Sequence, residues 1–153
     1  MSLAFYVAYP ERVKALYLQG CGPGYRSDRS RAAWNERAES RARTIEEGGM
    51  AAVGGASEVG ASKPGTVRGL ANAARGILSQ VDSRVIDALP DIRVPVLIVT
   101  GTGDTPYIEG AKYMGAKIPT ARHVLVENAG HGVNIDQPAI VNEALDRFLA
   151  EVA

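Results

Sequence analysis

The chain has 153 residues, 17 of them acidic and 17 basic, so its formal net charge at neutral pH is zero. That length suits one domain, burying roughly 70% of the surface its unfolded form would expose, and balanced charge supplies no global field toward nucleic acid or an anionic membrane, leaving small or apolar molecules as the expected partners. The single cysteine, Cys21, excludes an internal disulfide and fits a cytoplasmic location, and no set of cysteines and histidines has metal-ligand spacing, so no metal is expected.

The opening run MSLAFYVAY (residues 1–9) has no basic leader region and is too short to span a bilayer. Its apolar residues surround a helix rather than stripe it, the pattern of a helix covered on several sides. Pro10 disfavours helix at Tyr9 and ends it. VKALYL (13–18) then reads as a short buried strand, with QGCGPG (19–24) as its turn. From about Asp28 to Glu47 the chain is highly charged, with Trp34, Ala38, Ala42 and Ile45 on one stripe and Glu39 four residues before Arg43, as in an amphipathic surface helix. Residues 48–69 are rich in glycine, alanine and serine without a strong period and read as a mobile connection. A weaker helix is expected over 70–81, and ALPDIRVP (88–95) returns the chain to the core.

In the last third, VPVLIVTG (94–101) and RHVLVENAG (122–130) are β-branched runs placing strands at 96–100 and 123–127, separated by a helix that Pro106 begins and Pro119 ends. Asp136 is the expected N-cap of a closing helix, whose Ile140, Val141, Ala144, Leu145, Phe148, Leu149 and Val152 form one broad apolar stripe. Strands alternating with helices imply an α/β layer structure: about three parallel strands, joined by right-handed crossovers and covered by helices on both faces. Ligands of such sheets gather at the carboxyl ends of the strands.

Two motifs fall at that edge. Asp104 in GTGD follows the second strand, and His131 in NAGHGVN (128–134) follows the third. An aspartate accepting the imidazole Nδ1 proton would leave Nε2 to act as a base. Taken singly, each residue has a plainer reading, Asp104 as a helix N-cap before Pro106 and His131 as a loop histidine between glycines.

Together, YPERVKALYLQGCGPGY (9–25), IRVPVLIVTGTGD (92–104) and IPTARHVLVENAGHGVNIDQP (118–138) resemble the C-terminal portion of the α/β-hydrolase family, over nearly the whole chain. The resemblance implies a partial α/β-hydrolase domain, with core segments 1–26 and 86–153 and a helical cap insertion at 27–85. It implies Asp104 as the catalytic acid and His131 as the catalytic histidine, in the family's order. Tyr25, Trp34 and Val133 become candidate substrate-binding residues, with packing as the alternative for the two aromatic ones. No cofactor is implied. The family's nucleophile elbow, G-x-S-x-G, should precede the first helix, yet these 153 residues contain none. Ser2 is followed by Ala4 where an elbow wants glycine, so the resemblance puts the nucleophile and oxyanion hole ahead of Ser2. Cys21 is a substitute nucleophile only if its thiolate is favoured, a small buried cysteine being the alternative. His123 reads as a surface residue.

The expected function is the acid and histidine half of a serine-type hydrolase acting on an ester or other small carbonyl substrate, inactive as an isolated chain. An aspartate nucleophile, as in an epoxide hydrolase or dehalogenase, stays open, and so does a non-catalytic remnant that binds a partner. Neither nucleic acid nor membrane is an expected partner. Self-association through an exposed strand edge, or through a missing N-terminal half, is.

Overall fold

A computed structural model describes residues 1–53 and 65–153. Chain contacts divide it into two compact units, Met1–Pro23 with Arg84–Ala153, and Gly24–Ser83.

The first unit is built on a parallel sheet of three strands, β1 (Leu16–Gln19), β2 (Val96–Gly101) and β3 (Ala121–Val126), in the order β1-β2-β3. Leu16 stands opposite Val96 and Val96 opposite Ala121, so all three strands end at one edge. Every residue of the central β2 is buried, which explains its unbroken apolar run. A strand flanked by neighbours and covered on both faces has no solvent side to alternate with.

On one face, Leu3 and Tyr6 of α1 (Ser2–Ala8) pack with Leu16, Leu18, Val96 and Ile98, beside Ala111, Met114 and Ile118 at the end of α5 (Thr105–Lys117). Ile86 of α4 (Arg84–Asp87), Leu89 and Ile92 complete that layer. On the other face, Leu97, Val99 and Val126 pack against Val133 of the short α6 (Val133–Asp136) and against Val141 and Phe148 of α7 (Pro138–Val152).

Four expectations are corrected here. The first strand starts at Leu16 rather than at residue 13, because Val13 closes the 3-10 turn Pro10–Arg12 and the ladder begins where Leu16 N–H donates to the Pro95 carbonyl. The first helix is covered on one side only among the described residues: Leu3 and Tyr6 are buried, while Phe5 and Tyr9 are half exposed and stack on each other with ring centroids 5.4 Å apart. Asp136 does not cap the closing helix, whose N-cap position is Gln137. Its carboxylate instead accepts from Gly130 N–H at 2.8 Å.

The fourth correction is in the second unit, a pair of helices α2 (Asp28–Gly48) and α3 (Val67–Ile77). α3 begins three residues earlier than the expected 70–81 helix and ends four earlier, because Thr66 Oγ1 caps Gly69 N–H at 3.0 Å and Ala71 and Ala74 pack on Ala42. Small facing residues let the two helices approach closely. Arg75 clamps the pair by reaching both Glu39 and Glu46, at 2.8 and 2.6 Å, and these carboxylates hold its guanidinium pKa up. Residues 54–64, half of the connection expected at 48–69, lie outside the described residues, and Gly49–Val53 forms a 3-10 turn.

Candidate active site

The carboxyl ends of β2 and β3 turn toward each other through backbone contacts that demand glycine. Thr102 N–H donates to the Val126 carbonyl at 2.9 Å, and Gly103 N–H donates to the Ala129 carbonyl at 2.8 Å. A Cβ on Gly101 would fall 2.2 Å from the Ala129 oxygen, far inside any real contact. The β3 loop is shaped to match, with Asn128 in the left-handed region at φ 56° and its N–H on Thr102 Oγ1 at 3.2 Å. Asn tolerates that region better than most side chains.

This approach brings Asp104 to His131. The imidazole Nδ1 lies 3.0 Å from Asp104 Oδ2. Asp104 occupies the N-cap position of α5, yet its side chain makes no capping bond, so the carboxylate that could have closed the helix faces the histidine instead. Its side chain is 4% exposed and that of His131 42%. A buried carboxylate accepting from Nδ1 holds the imidazole in the tautomer with a proton on Nδ1 and a lone pair on Nε2.

Supporting groups that no local pattern marked surround the pair. Gly20, at φ +52°, passes so close that a Cβ there would sit 2.9 Å from His131 Cε1. The Tyr107 ring lies 4.9 Å from the imidazole, centroid to centroid. Asp136 secures the loop just before His131 through Gly130, and Gln19 Nε2 donates to Asn134 Oδ1 just after it at 2.7 Å. The glycines of QGCG and GTGD were a usable hint of close backbone approach. Tyr107 had none, being one aromatic residue on a helix.

The remaining candidates have the following surroundings. Val133 is fully buried within the core cluster of Val99, Ala129 and Phe148. Tyr25 and Trp34 belong to the second unit, where their rings stack at 6.0 Å and the Trp34 indole N–H donates to the Leu78 carbonyl at 2.7 Å. Cys21 is half-buried against the core, and burial pushes its thiol pKa up, the opposite of what a thiolate nucleophile needs. His123, expected at the surface, is half-buried on β3. Its Nε2 is buried without a hydrogen-bond partner, and burial, with Lys112 nearby, holds its pKa down. Among the described residues no group of three or more His, Cys, Asp or Glu could hold a metal ion, and no helix is long and apolar enough to cross a membrane.

Comparison with known proteins agrees with this architecture. A Bacillus subtilis (strain 168) protein named "Putative 2-succinyl-6-hydroxy-2,4-cyclohexadiene-1-carboxylate synthase" is 25% identical over 171 aligned positions, covering 99% of this chain. The chain spans 62% of that relative's length. A thermophilic esterase from Thermogutta terrifontis superposes with a TM-score of 0.81 at 22% identity, over 99% of this chain and 61% of its own. MenH from S. aureus superposes with a TM-score of 0.76 at 18% identity, over 97% of this chain and 65% of its own. The sequence profile of the alpha/beta hydrolase family matches residues 3–144. With that match over most of its length and a parallel sheet of the family's kind, the chain belongs to the alpha/beta hydrolase family.

Proposed function

We propose that this chain carries the acid and histidine portion of a serine-type hydrolase acting on an ester or another small carbonyl substrate. The observation that carries this reading is the 3.0 Å contact between His131 Nδ1 and the buried Asp104 carboxylate, on an imidazole whose side chain remains 42% exposed. In a completed site, Nε2 would take the proton of a serine hydroxyl as it attacks the carbonyl carbon and return it to the leaving group. Asp104 keeps the ring oriented throughout. The relatives include a protein named as an esterase, whose chemistry fits this reading.

These 153 residues contain no G-x-S-x-G, and the oxyanion donors belong with that elbow. Expressed alone, they are expected to hydrolyse p-nitrophenyl acetate no faster than their His131→Ala variant, since a base without a nucleophile and oxyanion donors has little to act on. A burst of nitrophenol that disappears in Cys21→Ala would show that the cysteine serves as nucleophile and would sink this expectation.

One observation favours a role in assembly as well. Among the described residues β1 pairs only with β2, and alternate backbone groups of a parallel strand point to opposite sides. Leu16 and Gly20 N–H donate toward β2, so the peptide groups of Tyr17 face outward. Beside them runs a groove of about 380 Å³ lined by Met1, Ser2, Phe5, Val13, Ala15, Leu16 and Tyr17, none of which has a charged side chain. An open edge next to an apolar groove is a template for another strand. The isolated chain is therefore expected to self-associate, and light scattering that shows a folded monomer from micromolar to millimolar concentration would contradict this.

A further inference from the structure

A hydrogen bond at Nδ1 fixes one corner of an imidazole and leaves rotation of the ring about that corner only loosely determined, because the torsion next to a planar ring is broad. Two more contacts restrict it here. Gly20 closes the Nδ1 and Cε1 edge, where a Cβ would be 3.0 and 2.9 Å away, and its own N–H is tied to the Val99 carbonyl at 3.3 Å, so the sheet sets its place. Tyr107, three residues after Asp104 on α5, lays its ring 4.9 Å from the imidazole at an interplanar angle of 36°. That separation lies within the favourable range for aromatic pairs.

We propose that Tyr107 is a positioning residue for His131: its ring and the backbone at Gly20 together restrict the imidazole and present Nε2 as the free nitrogen. The assignment deepens the hydrolase reading and rests on it for the purpose of a presented Nε2, but the contact can be measured without turnover. Other titratable groups near the ring act from known places. Asp104 bonds Nδ1, Asp136 is tied to Gly130 N–H, and Cys21, next to Gly20, packs against the core.

The test is NMR spectroscopy of the ¹⁵N-labelled chain, which has two histidines, so His123→Gln assigns the signals. In the unsubstituted chain, nuclear Overhauser contacts should join the Tyr107 and His131 ring protons, and neutral His131 should carry its proton on Nδ1. Tyr107→Leu should let the Nδ1 proton of His131 exchange faster and broaden its downfield signal, and Tyr107→Phe, which keeps the ring, should leave that signal unchanged. Absence of the Overhauser contacts, an unchanged Nδ1 proton signal in Y107L, or broadening in Y107F as large as in Y107L would each overturn the proposal. The Overhauser measurement decides even if Y107L fails to fold. Turnover by a completed enzyme bears on the hydrolase reading alone, so either idea can fail while the other stands.

Discussion

Asp104→Asn is expected to lower kcat about 10⁴-fold, the size of the effect in serine proteases, once the chain is joined through Ser2 to an upstream parallel sheet bearing a G-x-S-x-G elbow. The fold should be unaffected, because the amide has the shape of the carboxylate and Asp104 makes no capping bond that α5 would lose. What changes is the partner of Nδ1, 3.0 Å away. An amide can donate from its nitrogen, which favours the imidazole with its lone pair on Nδ1 and its proton on Nε2, the wrong tautomer for a base. His131→Ala should be comparably severe, and the double variant scarcely worse than the poorer single one, since residues acting as one catalytic unit are non-additive. The measurement is short-chain ester turnover by the completed protein and its three variants, with circular dichroism establishing that each is folded. Near-full activity in Asp104→Asn would mean that another carboxylate orients the histidine.

Gly101→Ala should be the most damaging single methyl group added near the site. Its Cβ would lie 2.2 Å from the Ala129 oxygen and 2.5 Å from both the Ala129 carbonyl carbon and the Gly130 oxygen. All three are backbone atoms, so no side chain can swing away. The loops after β2 and β3 must separate, which breaks the bond from Gly103 N–H to the Ala129 carbonyl and moves Asp104 from His131. A loss of about 3 kcal/mol is expected, the upper end for overpacking a well-filled site. Gly22→Ala is the control, because a Cβ there meets nothing within 4 Å, and it should stay within about 0.5 kcal/mol of the parent chain. Urea denaturation of both variants provides the comparison. Equal midpoints would show that the two loops are not packed as described. In Gly101→Ala the downfield Nδ1 proton of His131 should also vanish.

The central strand and the closing helix were legible because each is written in a window of a few residues. Val96 to Val99 can all be apolar only if both faces of the strand are covered, and Val141, Leu145 and Phe148 recur at the helical period, so neither reading requires knowing which other segment is nearby. Pro10, Pro106 and Pro119 punctuate the chain by the same local sterics. The placement of Asp104 and His131 just after the second and third strands was legible too. Their meeting was not, since it depends on the register that sets Gly101 opposite Val126 and on the close approach of Gly103 to Ala129. Tertiary structure alone decided that Asp104 faces His131 rather than capping its helix, that Asp136 holds Gly130 rather than capping the next one, and that Tyr107 stands over the imidazole. It also set the start of the first strand, where Leu16 finds Pro95 across the sheet. In each case a polar group or ring has a local partner available and a distant one, and the choice follows from which of them the packed sheet brings within reach.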